Sequence, residues 1–275
     1  MDWRETTVAV DGVDLFVRRI GKGPPVVCLH AIAHDGRDFE ALAERIGGRF
    51  EIIAVDWPGQ GRSGPDRAPA GTTRYGELLV GLLEAMALPA PILIGCSIGA
   101  GAAILAAARC ERMGRPVRGL VLCDSAGLVA VTPFTARFCR LFESFFAAGE
   151  RGAGWFGAAY ALYYRLLVLP SPAAAERRRA IVADGRRMAP ILRQAWAFFG
   201  SPQADLRAVA ASLEVPIWVA WAANDRVIPL SLCLPAIKAL KQGELTRYKA
   251  GHAAFLERPD AFAADFAQWS ARLPA

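Results

Sequence analysis

Hydrophobic positions along the chain fall into short continuous runs separated by stretches of helical period. Pro25–Leu29, Phe50–Val55 and Ile92–Ile94 are apolar at nearly every position rather than at alternate ones. A strand of that kind is covered on both faces, as in the centre of a parallel sheet. Val117–Cys123, Val215–Trp221 and Glu244–Lys249 read as further strands. Thr6–Val10 and Val13–Arg19 alternate instead, around Asp11-Gly12, which predicts a hairpin and an antiparallel start to the sheet. Helices are predicted over Arg37–Ile46, with Phe39, Leu42 and Ile46 on one face, and over Thr73–Met86, Ala100–Arg109, Leu230–Leu240 and Asp260–Leu273. Strand–helix–strand alternation implies an α/β fold: a mostly parallel sheet of about eight strands with right-handed crossovers and helices on both faces.

The alternation stops between Leu128 and Gln203, where only helical patterns occur, broken at Gly149–Gly154, Pro170-Ser171-Pro172 and Gly200-Ser201-Pro202. Residues 128–203 are therefore expected to be a helical insertion over one end of the sheet, with 1–127 and 204–275 forming the core.

Composition narrows the class. At 275 residues, 54% hydrophobic and 21% charged, the chain suits one large folded α/β domain with an insertion. It has no apolar run long enough to span a membrane and no basic-then-apolar start, so a cytoplasmic protein is expected. The net charge of +6 includes the arginines at 177–179 and 186–187, read as a solvated helix face, and no nucleic-acid motif accompanies them. None of the six cysteines forms a C-x-x-C pair, and there are three histidines, so neither a metal centre nor a disulfide framework is expected.

The candidate chemistry centres on Gly95-Cys96-Ser97-Ile98-Gly99, a G-x-S-x-G sequence between a buried strand and an alanine-rich helix. The two glycines permit a very sharp turn that leaves the Ser97 hydroxyl at the tip, facing the positive end of the helix. A serine hydroxyl needs a base, and the base needs a carboxylate, all from loops at the carboxyl ends of strands. His252, after the last strand, is the best-placed base. Asp225 and Asp124 both follow strands; Asp225 is preferred because its loop lies nearer that of His252 in chain order, with Asp124 the competing acid. Asp56 also ends a strand, but its Pro-Gly-x-Gly surroundings suggest a loop-forming role. The backbone N–H of Ile98, and one from the loop after Pro25–Leu29, expected to be that of Ile32, are candidates to hold an oxyanion. In that loop His30 is expected to order the backbone, while His34 either lines the pocket or faces solvent.

With these residues in place the chain resembles the α/β-hydrolase fold superfamily over nearly its whole length. The matching pieces are His30 with Phe39, Asp56-x-Pro58-Gly59-x-Gly61-x-Ser63, Gly95-x-Ser97-x-Gly99, Asp225-x-Val227-x-Pro229, and Gly251-His252 with Leu256-Glu257-x-Pro259. The resemblance implies that Ser97, Asp225 and His252 form a catalytic triad and that 128–203 is a cap over the active site. Two departures stand out: Ala31 follows His30 where the family usually has glycine, and Cys96 precedes the nucleophile where a histidine or tryptophan is common. A serine rather than an aspartate at the elbow argues against dehalogenase or epoxide hydrolase chemistry.

The implied activity is hydrolysis of a carboxylic ester or lactone of a small to medium apolar acyl substrate, without metal or organic cofactor. The competing readings are a C–C bond hydrolase of aromatic degradation, an acyltransferase, and a hydrolase-like ligand sensor. Most aromatic residues between 134 and 164 are expected to pack the cap on the core; His34, Cys96, Phe138 and Phe142 are candidates to line the pocket. The sequence leaves a homo-oligomer open.

Overall fold

The computed structural model describes residues 2–274. The predicted hairpin opens the sheet: β1 (Arg4–Val10) pairs antiparallel with β2 (Val13–Gly21). Asp11 and Gly12 between them have φ of 45° and 78°. Two left-handed residues in succession match the twist of the flanking strands, which is why Asp-Gly serves here. β3 (Pro25–Leu29), β4 (Glu51–Val55), β5 (Ile92–Cys96), β6 (Gly119–Cys123) and β7 (Ile217–Ala222) are buried at every position except Glu51. β8 (Gly243–Tyr248) is largely exposed, as an edge strand can be. The sheet order is β1-β2-β4-β3-β5-β6-β7-β8, with β2 antiparallel to β4 and every later pair parallel.

Helices α1 (Glu40–Ile46), α2 (Thr72–Ala85) and α3 (Ile98–Arg112) connect the first strands. The predicted helix from Arg37 begins instead with a tighter 3-10 turn over Gly36–Phe39. The Asp35 side chain accepts from the Arg37 N–H at 2.9 Å and caps that turn.

Between β6 and β7 the described residues form only helix and loop. These are α4 (Pro133–Glu150), α5 (Phe156–Tyr163), α6 (Ala175–Ala183), α7 (Gly185–Phe199) and α8 (Arg207–Ser212). The breaks fall where glycine and proline clusters predict them. α4 starts from a Thr132 cap followed by Pro133 and runs along α7, with Phe142 stacked on Trp196 at 4.4 Å and Phe146 fully buried. α5 widens into a π-helical turn over Tyr164–Val168, a distortion frequent at functional sites.

After β7 come α9 (Leu230–Lys238), then β8, α10 (Ala254–Glu257) and α11 (Pro259–Ser270). The six cysteines are free and buried, as small hydrophobes. The arginine cluster is not the solvated face the sequence suggests. Arg177 is only 13% exposed, because its side chain lies against Asp35 and Asp38, and Arg178 donates to the Leu169 carbonyl. Arg179 and the pair Arg186-Arg187 do face solvent.

Candidate active site

β5 ends at Cys96 and α3 begins at Ile98, so Ser97 alone makes the turn between them, at φ 53° and ψ −117°. Such a conformation persists only where the surroundings enforce it. A Cβ on Gly95 would lie 2.5 Å from the backbone nitrogen of Ala100, and one on Gly99 2.4 Å from the Leu29 carbonyl oxygen. Only glycine lets strand, turn and helix approach so closely. The Ser97 N–H donates to the Cys123 carbonyl at 3.0 Å, and the Ser97 carbonyl accepts from Ala126 at 3.1 Å, tying the turn to the end of β6. Its side chain lines a cavity.

His252 reaches the same cavity from the loop after β8. The backbone N–H groups of Gly251 and His252 converge on Glu257 Oε1 at 2.7 and 3.2 Å, which fixes the loop. A Cβ on Gly251 would lie 2.1 Å from the Pro170 ring, so this loop is also pressed against the helical segment. His252 Nδ1 lies 2.8 Å from Asp225 Oδ2. Asp225 Oδ1 accepts the N–H groups of Val227 and Ile228 at 2.7 and 2.9 Å, so the carboxylate is held from both ends. With the Nδ1 proton directed at the carboxylate, Nε2 carries the ring's lone pair.

Asp124, the competing acid, is fully buried and makes no hydrogen bond to the imidazole; its Oδ1 accepts from the Ala222 N–H at 2.8 Å. Burial and the adjacent Asp225 charge push its carboxyl well above the usual range. Asp124, Asp225 and His252 are the described residues close enough together to hold a cation, with atoms within 4.8 Å of one another. Asp225 and His252 spend their facing atoms on each other, so the set makes a hydrogen-bonded relay more readily than a coordination shell.

The loop after β3 is built by hydrogen bonds. His30 Nδ1 donates to the Ala31 carbonyl at 2.7 Å, and its Nε2 accepts from the Trp57 N–H at 3.0 Å. Burial lowers the His30 pKa and keeps the ring neutral, as this pattern requires. Asp56 accepts from the N–H groups of Gly36 and Arg62, so it does shape loops. The left-handed residue of the β3 loop is Ala33, at φ 64°, not Ala31; alanine after His30 therefore meets no backbone conflict. Gln60 holds Ala33 in place, accepting its N–H at 2.6 Å while donating to Tyr75 Oη at 2.9 Å. The N–H groups of Ile32 and Ile98 have no partner among the described residues, and Ile32 lines the cavity beside Ser97.

His34 also faces the cavity rather than solvent. Its Nδ1 lies 2.6 Å from Asp38 Oδ2, and its Nε2 3.1 Å from Tyr164 Oη in the helical segment. Arg177 pairs with Asp38 at 2.5 Å and with Asp35 at 3.0 Å. Burial alone would raise the Asp38 carboxyl, but the His34 and Arg177 charges outweigh it and hold the group below its ordinary value. At Asp35 burial is outweighed in the same way by the Arg37 hydrogen bond and Arg177, leaving it far below.

The cavity has a volume of about 330 Å³, within the range of small-ligand sites. Ser97, Ile32, His34 and His252 line it from the sheet side, and Phe138 and Trp196 from the helical segment. Cys96 and Phe142 do not line it. Cys96 sits beneath the turn, with its Sγ toward the His252 carbonyl at 3.7 Å, and Phe142 stacks behind Trp196. Gln60, Tyr164 and Arg177 escape sequence reasoning: each acts through a partner at least 15 residues away in the chain.

Comparison with known proteins places these features in context. Residues 26–265 match the family model described as the alpha/beta hydrolase family. The chain is 30% identical over 269 residues to the pimeloyl-(acyl-carrier protein) methyl ester esterase of Stenotrophomonas maltophilia (strain K279a), covering 92% of this chain and 95% of the relative. Among solved structures it resembles an esterase from Exiguobacterium antarcticum, with a TM-score of 0.82 at 18% identity, covering 98% of this chain and 100% of the other. It also resembles the enol-lactonase from Burkholderia xenovorans LB400, with a TM-score of 0.78 at 20% identity, covering 97% and 100%.

Proposed function

The chain belongs to the alpha/beta hydrolase family, and from that premise we propose that it is a serine esterase working through Ser97, His252 and Asp225. The observation that carries this reading is a serine on a strained elbow, sharing a cavity with a histidine whose far nitrogen is taken by a carboxylate at 2.8 Å.

Ser97 Oγ attacks the ester carbonyl while His252 Nε2 takes its proton, and Asp225 stabilises the imidazolium. The free N–H groups of Ile98 and Ile32 receive the oxyanion, aided by the positive end of α3. His252 then returns the proton to the leaving alcohol. An activated water next attacks the acyl-enzyme and frees the acid and Ser97. Residues 128–203 serve as a cap: Phe138 and Trp196 from this segment line the same cavity as Ser97.

The substrate is an ester of a small to medium apolar acyl chain. Support comes from the cavity of about 330 Å³ and its predominantly aliphatic and aromatic lining. The similarity to methyl ester esterases favours an ester over the C–C bond and transferase alternatives. Within that apolar wall His34 and Tyr164 supply a polar anchor for a carbonyl or hydroxyl on the substrate. No helix of the described residues is long and apolar enough to cross a membrane.

Turnover of p-nitrophenyl butyrate tests the reading. The protein should hydrolyse it, and Ser97→Ala should lower kcat by about 10⁴-fold or more while melting normally. Binding without serine-dependent turnover, across a panel of esters and lactones, would support a ligand sensor instead.

A further inference from the structure

Beside the relay lies a second carboxyl group that the reaction does not consume. Asp124 follows β6 in a left-handed conformation, φ 46°, and is completely buried. Its Oδ1 accepts the Ala222 N–H at 2.8 Å, and its buried Oδ2 has no hydrogen-bond partner among the described residues. Its carboxyl, the Asp225 carboxyl and the His252 ring lie within 4.8 Å of one another.

Two carboxyl groups this close, out of water, do not both ionise. The allocation of the single charge follows from the donors. Asp225 receives three N–H groups, from Val227, Ile228 and His252 Nδ1. Asp124 receives one. The negative charge therefore resides on Asp225 and the proton on Asp124. Glu257 adds a further negative charge nearby, which favours the same assignment. The neighbouring thiols of Cys96, Cys123 and Cys233 are kept neutral by burial and supply no compensating charge.

We propose that Asp124 is a positioning residue, a buried neutral carboxylic acid whose O–H donates to Asp225 and thereby holds the carboxylate that orients His252. The proposal rests on the assignment of Asp225 and His252 given above. The donated hydrogen bond fixes the rotamer of Asp225, and it draws off part of the charge that stabilises the imidazolium. Removing the donor frees that charge, so the imidazolium is held more strongly and the base is harder to deprotonate.

The test compares Asp124→Asn with Asp124→Ala, using p-nitrophenyl butyrate turnover across pH, with Asp225→Asn as reference. Asparagine is neutral, similar in shape and still a donor. Asp124→Asn should keep kcat within about threefold of the parent and leave the acid limb of kcat/KM in place. Asp124→Ala should lose about 10-fold or more in kcat and move that limb to higher pH, a shift that a packing defect alone does not produce. An Asp124→Asn enzyme as inactive as Asp225→Asn would overturn the proposal, since the charge itself would then be needed at 124. So would an Asp124→Ala enzyme with unchanged rate and profile.

Infrared spectroscopy covers the case in which the alanine variant does not fold. The parent protein at neutral pH should show the carbonyl stretch of a protonated carboxylic acid, absent from Asp124→Asn; no such band overturns the proposal. This readout needs no turnover, so it separates failure here from failure of the serine mechanism, which Ser97→Ala reports.

Discussion

Ser97 holds a backbone conformation that costs about 1–3 kcal/mol by itself, and two glycines keep it there. Gly99 packs so closely on β3 that a methyl group would sit 2.4 Å from the Leu29 carbonyl oxygen and 2.8 Å from that of His30. Both are backbone atoms and neither can step aside. Gly99→Ala should therefore destabilise the protein by about 1–3 kcal/mol, read by thermal or urea denaturation, and lower turnover by displacing the hydroxyl. Asp124 makes a second prediction at this scale. Its folded-state pKa is raised, so its contribution to stability is full below the unfolded value of about 3.9 and is lost as pH rises. Asp124→Asn carries no such burden. It should melt above the parent at pH 7, and the difference should vanish near pH 4.

Among the elements, the join between the helical segment and the sheet is polar at its centre. Arg177 on α6 bridges Asp35 and Asp38 in the loop and 3-10 turn that follow β3, while Tyr164 meets His34 beside them. Asp38 is almost completely buried, so losing Arg177 leaves its charge with His34 as its remaining partner. Arg177→Ala should cost about 3–5 kcal/mol at neutral pH, measured by denaturation. The sign of the pH effect follows from the depressed pKa values of Asp35 and Asp38. Their stabilisation is present above the unfolded carboxylate value of about 4 and is lost as pH falls below it. The gap between parent and variant should close on acidification; a gap that stays constant would mean that the ion pairs are not what the arginine contributes. Away from this polar centre, α4 and α7 cohere through aromatic rings. Phe146, fully buried there, should cost about 3–5 kcal/mol when changed to alanine.

In the molecule as a whole, what was legible in the sequence is what short-range pattern encodes. β3 coincides with its apolar run because a strand covered on both faces has no polar position to blur its ends. The hairpin and the elbow were legible because Asp-Gly and Gly-x-Ser-x-Gly meet demands that few residues satisfy. The catalytic candidates were legible because histidine and aspartate after strands are scarce in this chain. Illegible were the partners that tertiary folding alone supplies. Arg177 sits in a basic triplet that looks solvated, and nothing local signals that Asp38, 139 residues earlier, is buried beneath it. Cys96 and Phe142 failed as pocket residues for a related reason: adjacency to the nucleophile or to a pocket aromatic in sequence does not decide which way a side chain turns.

The proposed function requires that the fold make one particular alcohol, that of Ser97, reactive. Labelling the intact protein with a fluorophosphonate probe, followed by mass spectrometry of the modified peptide, tests it most directly. A single adduct on Ser97 is expected, lost in Ser97→Ala and strongly slowed in His252→Ala. An adduct on another residue, or labelling undiminished in Ser97→Ala, would contradict it.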